Sequence, residues 1–172
     1  MAEFVVAMLV HTPVWVYVLL VFLLFRGIKA RIPATVTLEK LALIPALFLF
    51  WDIYDLVTYR NQSISTYLQW MVGIISGAIV GYMLINPGRL TRSSAPRSIH
   101  RPADYSALPF MMLAFGIKYV QGVLNAIAPD ILRQPVMSAL AIITGGVLAG
   151  VFIGKFIRYV SVYLRSPAPG NT

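Results

Sequence analysis

The chain has 172 residues, of which 59% are hydrophobic and only 12% are charged, and its mean hydropathy is +0.78. An ordinary soluble domain carries about 25% charged residues, so this composition indicates an integral membrane protein. The absence of cysteine excludes disulfide bonds, thiolate metal sites and thiol redox chemistry within the chain.

The formal net charge of +8 comes from basic residues whose density alternates along the chain. Most of the fourteen lie in three connecting or terminal stretches, while the intervening connections hold only Arg60 and Arg133. The positive-inside rule produces such alternation and places those three stretches in the cytoplasm. We predict no nucleic-acid partner, because the basic residues are not gathered on one surface with base-reading side chains. The residues in the three stretches are Arg26, Lys29, Arg31, Lys40, Arg89, Arg92, Arg97, Arg101, Lys155, Arg158 and Arg165.

The first predicted span begins at His11-Thr12-Pro13, where the threonine caps a helix that has proline at its first position. The apolar run Val14 to Phe25 that follows gives only about 18 Å of helix, so Arg26 and Lys29 must reach the inner surface. Residues 2–10 then lie at the outer interface. The alternative is a longer helix that includes those residues and is kinked at the proline.

Four further apolar segments approach the length of about 20 residues that a bilayer-crossing helix needs. We therefore predict an all-α fold: a polytopic membrane helix bundle with five transmembrane spans in a single membrane domain, residues 1–165. The N-terminus is outside and the C-terminus is cytoplasmic, with residues 166–172 as a disordered tail. The predicted spans cover about residues 13–30, 40–58, 66–86, 107–128 and 135–156.

Two of these spans carry three glycines at intervals of four residues. Such glycines share one helix face and allow another backbone to approach closely. The two faces are expected either to pack against each other or to pack against a second copy, and the second case predicts a homo-oligomer or contacts with other membrane subunits. The glycines are Gly73, Gly77, Gly81, Gly146, Gly150 and Gly154.

The helices that precede the glycine spans also resemble each other. "IPALFLFWDIYDL" aligns with "LPFMMLAFGIKYV", which places Pro45 on Pro109 and Trp51 on Phe115. Both hairpins run from inside to outside and back, so the alignment predicts a parallel two-plus-two hairpin repeat with an additional N-terminal helix.

Charged residues interrupt two of the spans. A charge near the bilayer centre costs about 2.5–3.5 kcal/mol, so Asp52, Asp55 and Lys118 are expected to face protein or water. Asp52 and Lys118 lie at similar depth in the bilayer, so we predict an ion pair between them. Asp55 is then left without an assigned partner. Gln121 and Asn125 share the helix face of Lys118. These five residues form either a structural polar cluster or a path along which a carboxylate carries a proton or a cation.

Histidine offers little cofactor chemistry in this topology. His11 lies at the outer end of the first span and is a candidate outer proton relay near Asp55, although a capping or surface role is the alternative. His100 lies in a cytoplasmic loop, so the two cannot ligate one metal or haem, and we predict no cofactor and no metal. No hydrolase, metalloprotease or phosphate-loop motif is present in the sequence, and we predict that the protein is not an enzyme.

The opening "HTPVWVYVLLVFLLFRGIKARIP" and the following "LEKLALIPALFLF" resemble a group of small bacterial inner-membrane proteins of unknown function. The resemblance covers mainly the first 50 residues and implies a multi-span bacterial inner-membrane protein, without any activity. The matching positions are His11, Thr12, Pro13, Trp15, Arg26, Gly27, Lys29, Ala30, Pro45 and Ala46.

Two functions are consistent with these patterns. The first is a small proton- or ion-linked transporter or channel-like conduit, with a polar path at Asp52, Asp55 and Lys118. The second is a non-catalytic accessory or assembly subunit of a membrane complex that packs through its glycine faces.

Overall fold

The computed structural model describes residues 12–60 and 62–166, and this part of the chain is mostly helical. Four helices are long and apolar enough to cross a membrane, and a shorter apolar helix precedes them. The helices are α1 (Val14–Ala30), α2 (Leu38–Tyr59), α3 (Ile64–Leu84), α4 (Ala107–Ile127), α5 (Pro129–Arg133) and α6 (Pro135–Arg165).

Local chemistry sets where several of these helices begin. The Thr37 side chain accepts a hydrogen bond from Lys40 N at the start of α2, and the Ser63 side chain accepts one from Thr66 N at the start of α3. Helices α5 and α6 each have proline in their first turn, where the missing N–H removes no helical hydrogen bond.

The predicted span positions agree closely with four of the helices, and the differences have physical causes. Helix α1 has 17 residues, about 26 Å, so it is shorter than the four candidate spans. Helix α6 continues to Arg165, beyond the predicted end at residue 156, because Tyr159 and Val162 pack against residues outside the bundle core. The predicted tail lies outside the described residues except for Ser166, and so do residues 2–10.

A small antiparallel sheet, which the all-α prediction lacked, joins the loops at one end of the bundle. Its strands are β1 (Ala34–Thr37), β2 (Thr91–Arg92) and β3 (Ser98–Arg101), in the order β1-β3-β2. Ile99 pairs with Val36 and is fully buried against α6, in a cluster that includes Tyr159. We call this end of the bundle the sheet end, and the end that carries α5 the far end.

The two glycine faces pack against each other within the chain. A methyl group added at Gly73 would lie 2.6 Å from Ile143 O, and one added at Gly146 would lie 2.7 Å from Trp70 O. Each of these two glycines also approaches the other's Cα, and the pairing advances in the same direction along both helices. Helices α3 and α6 are therefore parallel, and their backbones touch along the whole glycine face.

The remaining helices surround an apolar core. Helix α1 packs on α4, and α2 packs on α6. At Gly27 the first of these contacts is close, because an added methyl group would lie 2.5 Å from Leu108 Cδ1. Phe48 of α2 is 2% exposed and stacks on Phe152 of α6, with ring centroids 5.0 Å apart. This core closes the middle of the bundle.

Candidate functional site

A buried ion pair joins α2 to α4. Asp52 Oδ1 lies 2.5 Å from Lys118 Nζ, and the two side chains are 3% and 5% exposed. Trp70 of α3 donates from Nε1 to Asp52 Oδ2 at 3.0 Å. Both carboxylate oxygens are thus occupied, as a buried charge requires. The sequence predicted the pair but not the tryptophan.

Asp55 has charged partners, so the expectation that it lacks one is wrong. Its Oδ2 lies 3.5 Å from Arg60 Nη2 and 3.8 Å from Lys118 Nζ. Arg60 was assigned to an outer connection, but it lies just after α2, where its side chain is 2% exposed and donates to Leu132 O. Two carboxylates and two cations therefore form one network with no net formal charge, which we call the charge cluster.

Gly145 of α6, which was not among the glycines predicted to pack, leaves space for the charge cluster. A methyl group added at Gly145 of α6 would lie 2.7 Å from Asp52 Oδ1 and 3.1 Å from Lys118 Nζ. Gly145 stands directly before Gly146 of the glycine face. The same turn of α6 therefore contacts α3 on one side and accommodates the ion pair on the other.

The other two polar residues predicted on the Lys118 face have different surroundings. Gln121 is buried and donates from Nε2 to Ala141 O of α6 at 3.3 Å, while its Oε1 has no hydrogen-bond partner among the described residues. Asn125 is half-buried and lines a cavity together with Lys118. The predicted polar face thus divides, with Gln121 against α6 and Asn125 toward the cavity.

This cavity, which we call the aromatic cavity, has a volume of about 670 Å³ and lies at the far end between α1, α2 and α4. Its size is within the range of about 300–1,000 Å³ that is usual for small-molecule sites. Asp55, Lys118 and Asn125 supply its polar wall. Its aromatic residues are Trp15, Trp51, Tyr54, Tyr59 and Tyr119.

Two contacts fix the aromatic wall. Trp15 meets Trp51 edge-on, with ring centroids 6.0 Å apart, and Thr12 Oγ1 lies 2.8 Å from Tyr119 Oη. Both contacts join the beginning of α1 to a neighbouring helix. His11, the predicted outer relay, lies outside the described residues. Within residues 12–60 and 62–166, no group of three or more histidine, aspartate or glutamate side chains has the geometry of a metal site.

Apolar residues separate the aromatic cavity from the sheet end. One turn from Lys118 on α4, Ala114 is fully buried and Phe115 is 9% exposed. With Phe48, Leu148 and Phe152 they belong to the apolar core. The aromatic cavity thus reaches Asp55 and Lys118 from the far end, and this apolar layer, which we call the apolar barrier, lies between it and the sheet end.

A second buried ion pair, which was not predicted from the sequence, lies on the sheet side of the barrier. Lys155 Nζ is 2.9 Å from Asp104 Oδ2 and donates to Ser106 Oγ at 2.7 Å. Ser106 in turn donates from Oγ to Asp104 Oδ1 at 2.6 Å. Burial acts to raise the pKa of Asp104, but Lys155 and the hydrogen bonds from Ser106 outweigh it, and the pKa lies below its usual value.

The lowered pKa of Asp104 predicts an acid-dependent loss of stability. Ionisation of Asp104 therefore stabilises the fold: this contribution is fully present above the unfolded-state pKa of about 3.9 and disappears as pH falls through the lower folded-state pKa. We expect thermal unfolding in detergent to shift to lower temperature below about pH 4. Asp104→Asn should unfold at lower temperature at neutral pH and lose part of this acid dependence, whereas Asp130→Asn, at an exposed ion pair, should behave like the parent chain.

Comparisons with family models, with curated proteins and with solved structures found no match to this chain. The resemblance of the first 50 residues to small bacterial inner-membrane proteins therefore stays a prediction. The class that fold and composition define is an integral membrane protein built as a helix bundle.

Proposed function

We propose that the protein is a small proton- or cation-linked conduit or transporter of the bacterial inner membrane. The observation that carries this proposal is the aromatic cavity, which reaches Asp55 and Lys118 from the far end. Charged groups inside a membrane bundle are costly and are usually placed where ions or protons pass. A carboxylate at the wall of a roomy cavity is accessible to such a species.

The proposal includes a topology. Helix α1 is a fifth span, the far end faces outward and the sheet end faces the cytoplasm. Support comes from the close packing of α1 on α4 and from the concentration of basic residues at the sheet end, as the positive-inside rule requires. The C-terminal end of α6 then lies in the cytoplasm.

A parallel repeat of two hairpins is part of the same proposal. Its support is the reciprocal contact of α3 and α6, in which Gly73 approaches Ile143 O and Gly146 approaches Trp70 O. Such reciprocity is expected of two elements related by an axis along the membrane normal. The symmetry is incomplete among the described residues, because α2 packs on α6 whereas α4 makes no comparable contact with α3, and the Asp52–Lys118 pair has no counterpart at the aligned positions.

The proposed mechanism depends on the position of Lys118 between two carboxylates. A proton that enters through the aromatic cavity reaches Asp55 and removes its charge, after which Lys118 is held by Asp52 alone. Release on the other side requires the apolar barrier at Phe48 and Phe152 to separate, since these rings stack and exclude water. The described conformation is the outward-open one in this scheme.

The alternative function, an accessory or assembly subunit, is favoured by one observation. The Asp52 and Lys118 side chains form a direct ion pair and are nearly fully buried, as is usual for a structural ion pair. However, the glycine faces expected to serve such assembly contact each other within the chain. A homo-oligomer or a contact with other membrane subunits would need a different surface.

Asp55→Asn tests the conduit proposal. The assay uses proteoliposomes that carry an internal pH-sensitive dye, and acid is added to the outside of the vesicles. We expect proton uptake with the parent chain and at least about tenfold less uptake with Asp55→Asn, because the amide does not take up the proton. Asp55→Glu should retain part of the flux. Asp130→Asn, which removes an exposed carboxylate from the far end, should retain all of it.

The folded yield of each variant, measured by size-exclusion chromatography, separates flux from stability. Unchanged proton uptake in a well-folded Asp55→Asn variant would contradict the conduit proposal and favour the accessory subunit.

A further inference from the structure

A second cavity, of about 170 Å³, lies at the sheet end between α1, α2, β1 and α6. We call it the basic cavity, because five cationic side chains and a single carboxylate line it. The volume is enough for several water molecules, and hence for a tetrahedral phosphate group. The cations are Arg26, Lys29, Lys40, Arg101 and Lys155, and the carboxylate is Asp104.

The positive charge of this cavity is mostly uncompensated. Asp104 neutralises Lys155. Arg101 is 7% exposed, yet its guanidinium donates only to neutral carbonyls in the described chain, those of Lys29, Ala30 and Pro102. Glu39, the other acidic residue at the sheet end, lies 3.4 Å from Arg97 instead. Four formal positive charges at the cavity therefore have no ion-pair partner among the described residues.

Buried cations are stable in proteins when an anion or strong acceptors satisfy them. The carbonyl groups that bind Arg101 accept hydrogen bonds from its guanidinium group, but they leave its positive charge uncompensated. The side chains at the cavity mouth also retain donors: Arg26 uses one of its five N–H groups on Lys40 O, and Lys29 and Lys40 are exposed. This combination of a buried charge and free donors suits an oxyanion.

The cavity has an apolar side as well. Ile44, Met111 and Phe152 line it, and Phe152 belongs to the apolar barrier. A free inorganic ion would use only the basic groups, whereas the glycerol portion of a phospholipid would also contact these apolar side chains. Basic cavities between membrane helices on the cytoplasmic side are suited to anionic lipid head groups.

We propose that the basic cavity binds a phosphate group, and that the phosphate belongs to an anionic phospholipid of the surrounding bilayer. Arg26, Lys29 and Lys40 contact the phosphate oxygens at the mouth. Arg101 supplies the long-range positive potential from inside. The lipid assignment rests on the proposed topology, which places the sheet end at the cytoplasmic surface, and it stands whether or not the aromatic cavity conducts protons.

The test compares two pairs of charge removals at the sheet end. The cavity variant is Lys29→Gln/Lys40→Gln, and the matched control is Arg31→Gln/Arg89→Gln, which removes two exposed charges that do not line the cavity. Native mass spectrometry of the delipidated protein measures the binding of phosphatidylglycerol and of phosphatidylcholine. A parallel thermal-unfolding series in lipid-free detergent measures stabilisation by inorganic phosphate.

We expect the parent chain and the control to prefer phosphatidylglycerol, and the cavity variant to bind it about 100-fold more weakly, since each lost hydrogen bond from a charged donor to the phosphate contributes roughly a tenfold change. Stabilisation by inorganic phosphate that is lost only in the cavity variant, without any lipid preference, would support the phosphate site but assign a soluble ligand. Equal weakening in both double variants would overturn the proposal, and so would a parent chain that shows neither a preference for phosphatidylglycerol nor stabilisation by inorganic phosphate. If the double variant yields too little folded protein, Lys40→Gln alone should show a loss of about tenfold.

Discussion

Lys118→Met is expected to lower the free energy of unfolding by about 3–5 kcal/mol, the loss usually seen when one partner of a buried ion pair is removed. The change leaves Asp52 buried at 3% exposure with only the Trp70 indole as a partner, and it leaves Asp55 with Arg60 alone. The stability of a domain is about 5–15 kcal/mol, so a low folded yield should follow. Unfolding followed by circular dichroism during a titration of denaturing detergent measures the loss.

The double variant Asp52→Asn/Lys118→Met separates the cost of an unpaired charge from the value of the pair. Asparagine at position 52 retains an oxygen for Trp70 Nε1 and carries no charge. Replacing both members of a buried pair is often close to neutral, so we expect the double variant to recover most of the lost stability. Arg133→Gln, which breaks an exposed pair with Asp130, should leave unfolding unchanged.

The same variants bear on function. If the charge cluster is only structural, the double variant should fold and retain whatever activity the parent chain has. If Lys118 controls proton uptake by Asp55, the double variant should fold normally but show altered proton flux in proteoliposomes. A Lys118→Met chain as stable as its parent would contradict the buried pair itself.

The meeting of Asp52 and Lys118 was predictable because helical rise fixes depth, and because charges in lipid need partners. The partner of Asp55 was not found, since Arg60 was counted as part of an outer connection. A basic residue five positions beyond a carboxylate, at the end of a helix, was the available signal. A long side chain there folds back toward the preceding turn, and the structure uses this to bury Arg60.

The small sheet, and the Asp104–Lys155 ion pair near it, were harder to predict from the sequence. Strand β1 is only "ATVT", and β2 has two residues, so neither gives a clear alternating pattern. Long-range pairing rather than local preference determines them: Val36 lies opposite Ile99, far along the chain. Likewise, Asp104 and Lys155 are 51 residues apart, and a single sequence does not show that such residues are neighbours.

The glycine faces were predicted, but their partner was left open between the two spans and a second copy. Spacing of four residues places glycines on one face and allows close approach, but it does not state which backbone approaches. The structure assigns each face to the other, with Gly73 and Gly146 in contact. The homo-oligomer therefore stays a prediction that these faces do not support.

Gly77→Ala is expected to destabilise the protein through this interface, by about 1–3 kcal/mol, the usual cost of overpacking. A methyl group at Gly77 would overlap the carbonyl oxygen of Val147, which is backbone and has no rotamer into which it can move away. Helix α3 must therefore shift away from α6, and the close contacts along the glycine face weaken together. Gly150→Ala should have a similar effect, since its methyl group would overlap Ile74 O in the reciprocal contact.

Gly116→Ala provides the matched control, because a methyl group added there has no atom within 4 Å other than those of its chain neighbours and the adjacent backbone of its own helix. At such a position alanine stabilises a helix by about 0.5–1 kcal/mol relative to glycine, so this variant should be neutral or slightly more stable. The same titration of denaturing detergent ranks all three variants. If Gly77→Ala and Gly150→Ala matched Gly116→Ala, the two helices would not be in backbone contact, and the glycine faces would again be available to a second copy of the chain.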